Sequence, residues 1–169
     1  IISGYGINCE DETLQSFVEV GFAGTIVHIN DIIVNPKILN QFQVLALPGG
    51  FSYGDDTGSG NAMANKIRNN LFDYLSEFLL KDNLIIGICN GCQILVNLGI
   101  VPSTDGNQRE VALVENDTGI YQCRWINVKV TNNDSPWLKN IKHMYLPVAH
   151  QEGKFIMDKK TQNLIVKNN

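Results

Sequence analysis

The stretch Leu84-Ile85-Ile86-Gly87-Ile88-Cys89-Asn90-Gly91-Cys92-Gln93-Ile94-Leu95 decides the reading of this chain. Its first half is a continuous apolar run, the pattern of a strand buried on both faces. From Asn90 to Leu98 the apolar residues Ile94, Leu95 and Leu98 fall at helical spacing. Between the halves, Gly87-x-Cys89-x-Gly91 sets a glycine two residues to either side of a thiol. That is the spacing of a nucleophile elbow, a strained strand-to-helix turn that exposes one side chain at the carboxyl edge of a sheet. The glycines suit backbone that passes too close for a Cβ. A helix N-terminus favours a thiolate, and with it a nucleophile. Cys89 is therefore the candidate catalytic residue, weighed against the plainer reading of a small buried hydrophobe.

Outward from the elbow, strands and helices alternate. Ile1-Ile2 reads as the tail of a strand, followed by the turn Gly4-Tyr5-Gly6-Ile7-Asn8-Cys9. A helix is predicted from about Asp11 to Val20, with Leu14, Phe17 and Val18 on one face and acids in its first turn. Gly24–Ile29 is a second β-rich run, Pro36–Asn40 a short helical crossover, and Phe42–Leu47 a third strand ended by Pro48-Gly49-Gly50. The glycine-rich loop 51–60 precedes a long helix from about Asn61 to Leu80, whose stripe Ile67, Leu71, Leu75, Phe78 and Leu79 reads as core. This alternation implies βαβ units and a parallel sheet. Beyond Pro102, Val111–Val114 and Cys123–Val130 read as an antiparallel hairpin or small sheet about Asn116-Asp117-Thr118-Gly119. Pro136-Trp137-Leu138 is predicted to start a short helix capped by Asp134 or Ser135. Met144–Ala149 reads as a strand that delivers His150-Gln151-Glu152-Gly153 at its end. The expectation is one α/β domain over 1–169, clipped at both ends, since Ile1 is not Met and Lys167-Asn168-Asn169 falls within a helical pattern.

Composition narrows the function. With 44% hydrophobic and 18% charged residues, a net charge of −4 and no Lys/Arg cluster, the chain lacks a nucleic-acid footprint. No membrane span or signal peptide is visible. Four dispersed cysteines, Cys9, Cys89, Cys92 and Cys123, suit a reducing, cytoplasmic setting. The sequons at Asn116 and Asn133 carry no weight there.

In an open α/β sheet, ligands sit outside the carboxyl ends of the strands, where segments 4–9, 49–60, 89–93 and 150–153 are expected to fall. Acyl transfer at Cys89 needs two backbone N–H groups for the oxyanion. Asn90 can supply one and Gly50 the other, although Pro48-Gly49-Gly50 alone reads more readily as a tight turn. Of three histidines, His28 lies in an apolar run and His143 beside Lys142, whereas His150 has Glu152 two residues on as a carboxylate to orient it. Its plainer role is to shape a pocket. Cys89-x-x-Cys92 also admits a redox pair or half a zinc site, but the flanking glycines fit acyl transfer better and metal-type spacing is missing. Gly58-x-Gly60 does not follow a strand and is no dinucleotide fingerprint.

Three segments then occur in register: Pro48-Gly49-Gly50-Phe51-Ser52-Tyr53-Gly54-Asp55, Gly87 through Leu95, and Pro147-Val148-Ala149-His150-Gln151-Glu152-Gly153. Together with Gly6-Ile7-Asn8-Cys9-Glu10 they closely resemble the glutamine amidotransferase subunits of phosphoribosylformylglycinamidine synthases, within the class I glutamine amidotransferase family. The resemblance covers essentially the whole chain. It implies a flavodoxin-like three-layer fold with a central, mostly parallel sheet and a small antiparallel addition. It also implies a glutaminase of purine biosynthesis in which Cys89 forms a glutamyl thioester and releases ammonia. Gly50 and Asn90 match the oxyanion-hole positions. Gln93 matches a substrate-contacting residue, and the segment with His150 and Gln151 matches a loop over the glutamine α-groups. The partners implied are L-glutamine, a synthetase subunit that uses ATP and magnesium, and a small bridging subunit. This subunit itself would carry no cofactor and no metal.

Two departures stand out. Cys92 replaces the usual Phe, and the family's catalytic His and Glu belong to a later His-Pro-Glu segment that these 169 residues do not contain. His150 and Glu152 are the candidate substitute base and orienter. The competing readings are a cysteine-elbow protein of the DJ-1 type, which the Phe51–Asp55 loop argues against, and an inactive interaction subunit.

Overall fold

A computed structural model describes residues 1–103, 109–131 and 134–167, which form two compact units, one through Ser103 and one from Glu110 onward. Asn133, Asn168 and Asn169 lie outside the described residues.

The first unit runs β1 (Ile2–Ser3), α1 (Glu10–Glu19), β2 (Val27–His28), α2 (Ile29–Val34), β3 (Val44–Leu47), α3 (Asn61–Leu80), β4 (Leu84–Gly87) and α4 (Asn90–Leu98), with 3₁₀ turns at Pro36–Gln41 and Ser52–Asp55. β1 pairs with β2 and β3 with β4, both in parallel. β1 also lies within 8 Å of β3 between Cα atoms, so the strand sequence across the unit is β2, β1, β3, β4. That is the flavodoxin-like order, whose switch point lies between β1 and β3.

Alternation along the strands divides the helices between two faces. The register puts Leu45 with Ile85 and Leu47 with Gly87 on one face, and Ala46 with Ile86 on the other. Leu45 and Leu47 meet Ile67, Leu71 and Leu75 of α3 and Ile32 of α2. Ile86 and Ile88 instead line a groove of about 330 Å³ with Glu12, Thr13, Ser16 and Phe17 of α1 and with Val20 just after it. Three layers result. α3 buries Met63, Ala64, Ile67, Leu71, Leu75 and Phe78, whereas α1 buries Thr13 alone. At about 1.5–3 kcal/mol per large apolar side chain removed from water, α3, with α4 and its buried Ile94, Leu95, Val96 and Leu98, contributes far more to this unit than α1. Leu79 of the predicted stripe is only partly buried against that core.

The second β-rich run is shorter than its composition suggests. Only Val27–His28 is strand, because the His28 imidazole Nδ1 accepts the Asn30 N–H at 3.2 Å and caps α2. Ile29 and Ile32 are then buried from a helix.

The second unit contains β5 (Val111–Glu115), β6 (Gln122–Lys129), β7 (His143–His150), β8 (Glu152–Met157) and α5 (Lys159–Lys167). The predicted pairing of β5 with β6 as a hairpin is not what forms. β5 pairs antiparallel with β8, and β6 with β7. Asn116 is the cause: its N–H donates to the Gln151 carbonyl at 3.0 Å, so the turn folds onto the β7–β8 link instead of reversing β5 onto β6. The predicted helix at Pro136–Leu138 is a turn. Ser135 still captures the Trp137 N–H through Oγ and the Leu138 N–H through its carbonyl, but Asn140 at φ 66° closes the turn before a helix can propagate.

Among the described residues no helix is long and apolar enough to cross a membrane.

Candidate active site

Cys89 occupies the turn between β4 and α4 with φ 51° and ψ −111°, a conformation that L-residues adopt at a cost and that concentrates at functional sites. Its side chain is exposed. The two flanking glycines are required by contact. A Cβ on Gly91 would fall 1.9 Å from the Leu47 carbonyl oxygen, and one on Gly87 would fall 2.6 Å from Gly91. α4 therefore begins almost in touch with β3 and β4. The Gly91 N–H is shared by the Pro48 and Ile88 carbonyls at 3.1 and 2.9 Å, which fixes the turn from both sides.

Gly50 stands at φ 145°, and a Cβ there would meet Gly6 O at 2.5 Å and Ile7 Cα at 2.8 Å. Asn8 N–H donates to Gly49 O at 3.1 Å and Phe51 N–H to Gly6 O at 2.8 Å, binding the turn after β3 to the turn after β1. The same crossing brings in a neighbour that sequence reasoning did not place. A Cβ on Gly49 would contact both Cys89 Cβ at 3.5 Å and Cys9 Sγ at 3.6 Å. Segments 4–9, 49–60 and 89–93 thus converge, as their positions after parallel strands require.

Asn90 is fully buried, and its side chain does unexpected work. Oδ1 accepts the Ser52 N–H at 3.1 Å, while Nδ2 donates to Gln93 Oε1 at 3.1 Å and Asp55 Oδ1 at 3.3 Å. Asp55 also receives Ser59 Oγ–H and the Gly60 N–H. Asn97 Nδ2 donates to Ser59 O and Arg68 to Asn97 O, extending the tie between loop and helices. Gly60, at φ 72°, admits α3 against α4, where a Cβ would meet Ile94 N at 2.8 Å. Gly60 of the Gly58-x-Gly60 pair therefore serves helix packing. The Asn90 and Asp55 side chains were missed because the sequence shows residue types and not which loop folds onto which helix; the Phe51–Asp55 segment was their only signal.

His150, Gln151 and Glu152 belong to the second unit. The segment 150–153 is not a free loop: His150 ends β7 paired with Gln122, and Glu152 begins β8 paired with Glu115. His150 Nδ1 lies 3.0 Å from Asn116 Oδ1, which also accepts the Gly153 N–H at 3.2 Å. Asn116 Nδ2 donates to the carbonyls of His150 and Ile120, so its oxygen is the atom facing the ring and the Nδ1 proton sits between them. Gln151 Nε2 donates to Glu115 Oε1 and Gly119 O. Asn116, set aside in the sequence as a sequon, is the residue that holds His150. His28 is spent as a helix cap. Among the described residues no three His, Cys, Asp or Glu side chains group as metal ligands would.

Burial raises the Cys92 thiol above the usual range, with Cys89 adding to it, and burial, Glu12, Cys89 and Glu10 raise that of Cys9. Alkylation by iodoacetamide, read by peptide mass, is accordingly expected to modify the exposed thiols of Cys89 and Cys123 ahead of those of Cys9 and Cys92. Modification of Cys9 and Cys92 should lag and grow only at pH above the usual thiol range.

The whole of residues 1–169 matches the model of the CobB/CobQ-like glutamine amidotransferase domain. The chain is 49% identical to phosphoribosylformylglycinamidine synthase subunit PurQ of Methanococcus maripaludis strain S2, across 99% of this chain and 62% of the relative. It is 41% identical to the subunit of the same name from Dehalococcoides mccartyi, across 89% of this chain and 60% of that one. It thus spans about three fifths of the length of these curated relatives. A chain in the structure of PurLQS from Thermotoga maritima superposes with a TM-score of 0.76 at 28% identity, covering 94% of this chain and 68% of that one. With the α/β architecture, the strained cysteine elbow and the full-length match in agreement, this chain belongs to the CobB/CobQ-like glutamine amidotransferase domain family.

Proposed function

We propose that this chain is the glutaminase part of a phosphoribosylformylglycinamidine synthase. The observation that carries the reading is Cys89, exposed at φ 51° and ψ −111° on the turn into α4. In this reading its sulfur attacks the side-chain amide carbon of glutamine. The C–N bond breaks, the nitrogen takes a proton and leaves as ammonia, and a glutamyl thioester remains. Water then hydrolyses the thioester to glutamate and restores the thiol. The N–H groups of Gly50 and Asn90 stabilise the oxyanion, and Gln93 contacts the amino acid. Ammonia passes to a synthetase subunit that uses ATP and magnesium to amidate formylglycinamide ribonucleotide, with a small bridging subunit in the same cytoplasmic complex. This chain needs no cofactor of its own for that chemistry. The names of the relatives and of the Thermotoga maritima assembly support the substrate and partner assignments.

The test is glutamate release from L-glutamine by the full-length protein with its synthetase partner. Release is expected, and it should need the partner for full rate. No release in the complex, or release unchanged by Cys89→Ala, would overturn the reading.

A further inference from the structure

The loop from Ser52 to Gly60 carries strain that must be held. Tyr53, Gly54 and Asp55 stand consecutively at φ 57°, 69° and 56°, and two of the three have a Cβ. Such conformations are costly for non-glycine residues and persist only where surrounding contacts over-determine them. Here the contacts converge on one carboxylate. Asp55 Oδ1 accepts from Asn90 Nδ2 and the Gly60 N–H, and Oδ2 accepts from Ser59 Oγ.

The polarity of the next link follows. The backbone Ser52 N–H can only donate, so it takes Asn90 Oδ1 and leaves Nδ2 facing Asp55 and Gln93. A carboxylate can only accept, which reinforces that orientation. Gln93 must then turn Oε1 to Asn90, at 3.1 Å, and its NH₂ group the other way. Asn90 is fully buried and Gln93 is buried, so the low dielectric makes each of these bonds count.

We propose that Asp55 is a positioning residue for glutamine binding: through the Asn90 amide it fixes the flip state of the Gln93 amide, and so the donor face with which Gln93 meets the substrate. The inference rests on the glutaminase reading and on Gln93 as a substrate contact.

The experiment is steady-state glutamine hydrolysis by the full-length complex. Asp55→Ala is expected to raise KM for glutamine about 10-fold with kcat held within about threefold, the pattern of lost ground-state binding. Asp55→Asn keeps an acceptor oxygen for Asn90 and should hold KM within about threefold of the unaltered complex. Asp55→Ser, whose hydroxyl oxygen sits one bond short of the carboxylate position and so falls away from the Asn90 amide, should match the alanine variant. An unmoved KM in Asp55→Ala, or an asparagine variant as impaired as alanine, would overturn the inference. So would loss of folded protein in both the alanine and serine variants, which would make the role purely structural. The unaltered complex separates the two levels: if it fails to hydrolyse glutamine, the glutaminase reading falls and this inference with it.

Discussion

Replacing Cys89 with alanine is expected to lower glutamine hydrolysis by about 10⁴-fold or more and to leave the melting temperature of the chain almost unchanged. The two outcomes have separate causes. Activity collapses because no other thiol stands at the elbow; Cys92 is three residues along α4 and partly buried, with its thiol held above the usual range. Stability is spared because the Cys89 side chain is exposed and because alanine also has a Cβ, so the strain at φ 51° remains. Cys89→Gly sharpens the point. It should be equally inactive yet gain about 1 kcal/mol of stability, since glycine relieves the positive φ. Glutamate release and thermal denaturation of the three proteins measure both effects.

The second large effect is structural. Gly91→Ala places a methyl group 1.9 Å from the Leu47 carbonyl oxygen, 2.6 Å from the carbonyl carbon and 2.9 Å from Leu47 Cβ. None of these can yield easily: Leu47 is buried in β3, and its carbonyl accepts the Ile88 N–H at 3.0 Å. α4 must therefore lift from the sheet, taking the Gly91 bonds to Pro48 and Ile88 with it. The expected loss is about 3 kcal/mol, read by chemical denaturation, and Cys89 should lose its activity even in the fraction that stays folded. A variant as stable as the parent would show that the turn between β4 and α4 is looser than the contacts here require.

The elbow was legible because it is local. A buried strand, a glycine–x–cysteine–x–glycine turn and an amphipathic run follow one another within a few residues, and their geometry depends on backbone proximity that only glycine permits. The long helix α3 was legible for the same reason, its buried positions recurring at the helical period. What the sequence did not show depends on residues far apart. β5 and β6 are separated by a turn-like Asn-Asp-Thr-Gly and read as a hairpin, yet Asn116 gives its hydrogen bonds to the segment 150–153 and sends each strand to another partner. His28 sat in a β-branched run but caps a helix, because burial of Ile29 and Ile32 outweighs the strand preference of that segment. Asp55 and Asn90, 35 residues apart, meet only once the loop has folded onto α4.

The most direct measurement is peptide mapping by mass spectrometry after the full-length complex is incubated with a glutamine analogue bearing an electrophilic carbon in place of the side-chain amide. A glutaminase acting through Cys89 predicts one covalent adduct, on the peptide containing Cys89, prevented by excess L-glutamine and absent from Cys89→Ala. No adduct, or an adduct on Cys9, Cys92 or Cys123 that glutamine does not compete away, would contradict it.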